Sequence, residues 1–100
     1  MKVVYKRNQE REKELNMFAL DEEGLMIYDE VSEDTHILNE TAQYIFDMLE
    51  IPMTLLEIEE KFVDKYEFKE DELESLAEDL DEILEEMVEK KIISSERIEE

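Results

Sequence analysis

One hundred residues carry 11 basic and 32 acidic side chains, a net charge of −21, with 42% hydrophobic residues and no cysteine. That length suits one domain with one core, and the apolar content can offset the ordering entropy of a chain that is 43% charged. The charge repels a phosphate backbone, the absence of thiols excludes disulfides, thiolate metal sites and a cysteine nucleophile, and no run approaches the roughly 20 apolar residues of a membrane span.

The charge is uneven. Residues 1–16 hold five basic and three acidic groups, whereas the other 84 hold six and 29, so an acidic body follows a mildly basic arm. Residues 1–14 lack a clear period: "KVVYK" reads as an arm or an extra strand, and "KRNQEREKE" as a helical turn or an arm. From Leu15 the runs "LNMFAL" and "GLMIYDEV", separated by "DEEG", read as a hairpin in which Gly24, the one glycine, takes a positive φ. "SEDT" then turns the chain into a third short strand, "THIL". Such a meander has one face to bury and needs a cover.

Helices supply it. Ala42, Ile45, Phe46 and Leu49 fall at helical spacing after Asn39, which is placed as an N-cap, and the helix is expected to end near Pro52. "TLLE" is a capping box from Thr54 to Glu57, with Met53 and Ile58 set as a hydrophobic staple. The third helix, residues 70–91, repeats apolar residues from Leu73 to Val88 every three or four positions, opposite an acidic arc. Acidic residues at its start and Lys90 and Lys91 at its end complement the helix dipole. "KIIS" after it packs its isoleucines or adds a strand.

The sequence offers little for catalysis. His36, the single histidine, has neither a second histidine nor a cysteine to work with and reads as a sheet-surface residue. The carboxylates lie along a helix arc instead of facing each other as an acid and base pair, and the only glycine stands where no EF-hand loop fits. No enzyme activity, cofactor or metal is expected. What remains is a binding surface: an open edge at "THIL" offers unpaired backbone groups to which a peptide strand could add. The alternative is that "KVVYK" covers that edge.

The order of parts resembles a known family. "LNETAQYIFDML", followed by "TLLEIEEKF" and a long helix ending in "KKII", is similar to the pattern of PqqD-like proteins over residues 15–95, with no glycine in the turn before "KKII". The resemblance implies an α+β winged helix-turn-helix, a three-stranded antiparallel sheet followed by a three-helix bundle. It also implies the function of a RiPP recognition element, which binds the leader of a ribosomally made precursor peptide. The leader would lie antiparallel to the third strand, in a groove beside the third helix. By position this implicates Thr35, His36, Ile37 and Leu38 on the strand and Leu76, Asp79, Leu80 and Ile83 on the helix, although a Leu or Ile stripe is more often core than pocket.

Residues 1–14 are then an arm or extra strand, 15–95 the peptide-binding domain and 96–100 a tail. The first reading is a cytoplasmic, non-catalytic protein that presents a leader peptide to a modifying enzyme, such as a radical SAM enzyme or a leader peptidase. Its acidic body calls for basic character in the leader or the enzyme. The rivals are a winged-helix DNA-binding regulator, which lacks a basic recognition helix, and an acidic protein that binds and inhibits a basic partner. The open edge also leaves a homodimer in play.

Overall fold

The two ends of the chain are rich in β-branched residues, and in the computed structural model, which describes residues 2–11, 13–20 and 24–98, they pair with each other. β1 (Lys2–Arg7) runs antiparallel to β6 (Ile93–Ile98) along its whole length, from Lys2 opposite Ile98 to Arg7 opposite Ile93. The short β5 (Met53–Thr54) flanks β1 on its other side, giving a sheet of order β5-β1-β6. A second antiparallel sheet, of order β2-β3-β4, is the meander of β2 (Leu15–Ala19), β3 (Leu25–Asp29) and β4 (Asp34–Leu38). Helices α1 (Glu40–Met48), α2 (Leu55–Lys65) and α3 (Glu70–Glu89) complete a mixed α+β fold.

The expected order, one sheet and then three helices, holds only in part. β5 stands between α1 and α2, β6 follows α3, and the N-terminal run is the central strand of a sheet of its own. The partners of β1 lie far along the chain, where no local pattern announces them. Residues 96–98 belong to β6. The expected turn at residues 21–23 and the tail at 99–100 lie outside the described residues.

Local chemistry sets the junctions. Asn39 has extended backbone, and its side chain accepts the Ala42 N–H at 2.9 Å, so β4 stops and α1 starts there. At α2 the Glu57 N–H donates to Thr54 Oγ1 at 3.2 Å, and the Thr54 N–H donates to Glu57 Oε1 at 3.0 Å. Met53 and Ile58, the expected staple pair, are both buried. Gly24 adopts φ +133°, and a Cβ there would come within 2.6 Å of the Leu38 carbonyl oxygen, so only glycine lets β3 start against the end of β4.

α3 ends in a Schellman turn. The Ile92 N–H donates to the Met87 carbonyl at 3.1 Å and the Lys91 N–H to that of Val88 at 2.9 Å, with Lys91 itself at φ +62°. The left-handed position of this turn, which favours glycine, is therefore held by a lysine, the second of "KKII". The turn aims Ile92 and Ile93 into a core where Ile27, Ile45, Ile58 and Leu84 are also fully enclosed. Both sheets and all three helices contribute to that one core.

Candidate functional site

β4 has β3 as its neighbour and forms one edge of its sheet. The run that could have covered this edge, Lys2 to Lys6, is committed to β6 and, at Val4 and Tyr5, to β5 in the other sheet. Among the described residues, the outer side of β4 is thus free to take a strand.

The turn before β4 is tied down from below. Asp29, 2% exposed, accepts hydrogen bonds from the Arg11 guanidinium, from the Val31 N–H at 3.0 Å and from the Ser32 N–H at 3.3 Å. The bond from Arg11 leads in holding the Asp29 carboxyl well below the usual carboxylate range, with the turn amides adding to it. Arg11 also binds Glu14 at 3.1 Å, and Glu33, at φ +62°, donates its N–H to the Asp29 carbonyl at 2.8 Å. Sequence reasoning passed over this anchor. Its signal was an aspartate in the apolar register of "LMIYD", where every other position is buried.

A groove runs between β4 and α3. At its centre Ile37, Leu38 and Asn39 face Ile83, Glu86, Met87 and Lys90 across Ala42. Toward the end of α3, Asp34 and His36 share a cleft with Glu86, Glu89 and Lys90. In the other direction Asn39 and Thr41 face Leu76, Asp79, Leu80 and Ile83, and the aromatic rings of Phe62, Tyr66 and Phe68 join the wall. Neighbouring stretches share lining residues, so they follow one another from the start of β4 to the start of α1.

Seven of the eight residues expected at the site line this groove, and Thr35 does not. The pleat sorts the strand residues by face, although Ile37, on the outer face, still touches the groove. Successive side chains of β4 alternate, so half-buried His36 and buried Leu38 turn to the core face. Thr35 and Ile37 project on the opposite face, where Ile37 is 66% exposed and stands across from Met26, itself opposite Phe18. On α3, Leu76 and Leu80 are buried core residues that show an edge to the groove, Ile83 is half-buried and Asp79 is exposed.

The aromatic wall was not anticipated. Tyr44 meets Phe62 edge-on at 5.0 Å, Phe62 stacks on Tyr66 at 5.9 Å, and Phe68 meets Tyr66 at 6.3 Å. The Lys65 ammonium sits 4.1 Å from the Tyr44 ring centre. β1 braces the groove from behind: the Arg7 guanidinium lies 4.5 Å over Phe46 and donates to the Phe46 carbonyl at 2.9 Å, tying the end of α1. Burial and then the charges of Asp81 and Glu85, both on α3, push the Tyr5 phenol up.

Among the described residues, no group of three or more His, Cys, Asp or Glu side chains is arranged to hold a metal ion. Among them, too, no helix is long and apolar enough to cross a membrane. A family model described as Coenzyme PQQ synthesis protein D (PqqD) matches residues 17–93, from β2 through the first residue of β6. No curated protein and no solved structure matches the chain.

Proposed function

Since the chain belongs to the PqqD family, we propose that it is a non-catalytic, cytoplasmic carrier of a ribosomally made precursor peptide, built as a winged helix-turn-helix. The leader adds to β4 as an antiparallel fourth strand, and its inward side chains rest in the groove against α3. His36, Leu38 and Ile83 contact those side chains, with Leu76, Asp79 and Leu80 farther along, while Thr35 and Ile37 flank the new strand on its outer face. The bound leader is then presented to a modifying enzyme, a radical SAM enzyme or a leader peptidase.

The observation that carries this reading is the open edge of β4 beside a groove that runs its full length. Main-chain hydrogen bonds supply affinity along such an edge, and the flanking groove supplies selectivity. A second copy could meet the same edge only against the repulsion of two bodies of net charge −21.

The test is proline at the edge. Successive amides of β4 alternate between β3 and the open side, so His36→Pro and Ile37→Pro each remove one kind. The variant that loses the outward amide is expected to keep its helical circular dichroism and to bind precursor at least tenfold more weakly in fluorescence anisotropy, a loss of about 1.4 kcal/mol. Full affinity in both folded variants would remove strand addition.

A further inference from the structure

The α1 end of the groove is chemically unlike the rest. Phe62, Tyr66, Phe68 and Leu80 make its wall, whereas Glu67, Asp79 and Glu82 stand exposed on its rim. An apolar wall with several carboxylates around its mouth suits a side chain that is large and apolar, with cationic neighbours on either side of it in the chain.

Direction follows from topology. β4 runs toward this end, with Asp34 beside the last turns of α3 and Leu38 leading through Asn39 to Thr41 at the pocket. A strand added antiparallel to β4 therefore begins at the pocket and leaves past His36. Asn39 and Ile83 belong both to the pocket and to the central groove, so one extended segment reaches both.

We propose that this pocket is an anchor for a large aliphatic or aromatic side chain flanked by Lys or Arg, located in the leader just N-terminal to the segment that pairs with β4. The proposal rests on the strand-addition reading and adds to it the chemistry and the position of a second recognition element. The rim carboxylates select cationic neighbours mainly by steering and by excluding acidic decoys. A second copy of this chain is a poor occupant, because its own surface is acidic.

Selection from displayed random peptides of roughly fifteen residues, long enough at about 3.3 Å per residue to fill β4 and the pocket, tests this on the full chain. The expected winners carry Phe, Leu or Ile beside Lys or Arg, two to four residues ahead of a β-branched stretch. Asp79→Lys combined with Glu82→Lys, both at exposed positions, is expected to weaken the winners by about tenfold, since each reversal turns a modest attraction into a repulsion. Reselection on that variant is expected to return acidic neighbours instead.

Winners with no basic residue by the apolar anchor, an anchor C-terminal to the strand segment, or an unchanged preference after charge reversal would each overturn the proposal. In those cases loss of binding in the edge-proline variants still upholds strand addition. Winners that need the pocket but ignore both edge prolines overturn strand addition and, with it, the order proposed here. Failure to enrich any peptide overturns both.

Discussion

Lys91 holds a backbone conformation that favours glycine, and replacing it tests the account of how α3 ends. At φ +62° an L-residue costs roughly 1–2 kcal/mol more than it would in right-handed backbone. Glycine escapes that cost but gives back about 0.4–1 kcal/mol through the freedom it adds to the unfolded chain. Loss of the lysine charge at the helix end costs a further 0.3–1 kcal/mol or so. Lys91→Ala loses the charge and keeps the strain, so the comparison of Lys91→Gly with Lys91→Ala isolates the backbone. Glycine is expected to be the more stable of the two by about 1 kcal/mol, which in a domain of this size is about 4–8 °C in Tm. Thermal melts followed at the helical dichroism band, with urea titrations to check an unchanged m-value, measure it. Equal stability of the two variants would refute the strained Schellman turn.

Two further predictions concern the elements that hold β4. Asp29 has its pKa lowered from an ordinary 3.8, so the unfolded chain takes up a proton first as pH falls, and the stability the ionised group contributes is present above pH 4 and drains away below it. The stability gap between the native chain and Asp29→Asn, measured by urea unfolding, should therefore be largest above pH 4 and shrink in more acid solution; a gap that stays constant down to pH 2 contradicts the buried anchor. Asn39→Ala removes the acceptor of the Ala42 N–H and is expected to cost about 1 kcal/mol with the m-value unchanged, read from the urea midpoint. A neutral effect would mean that the β4–α1 junction is fixed by packing alone.

What could be read from the sequence was what is local. The N-cap at Asn39, the capping box at Thr54 and Glu57 and the apolar stripe of α3 each depend on residues within a turn or two, and each stands where the pattern placed it. The meander was legible for the same reason, since its strands are neighbours in the chain. The second sheet was not, because β1 finds β5 and β6 across most of the sequence and no period links them. At the groove, the strand itself was legible, but residues carried over by resemblance could not be sorted by face, and Thr35 projects outward while His36 turns in. The aromatic wall escaped because Tyr44 comes from α1, and only the packing of α1 against α2 brings it onto the Phe62, Tyr66 and Phe68 stretch.

The pairing of β1 with β6 also governs the order in which the molecule can assemble. Closing a loop costs entropy that rises with the logarithm of its length, and here Lys2 meets Ile98, nearly the longest loop the chain can make. During synthesis β1 is made well before β5 and β6, so it waits while the strands it will pair with are translated. A waiting strand with bare edges invites aggregation. The sequence of β1 answers this with Lys2, Lys6 and Arg7 around Val3, Val4 and Tyr5, charged gatekeepers that keep one nascent copy from pairing with another. In a chain whose body is so acidic, those same cations draw the strand toward its own molecule. The basic arm at the start of the sequence is thus a device of folding order as well as a brace for the finished groove.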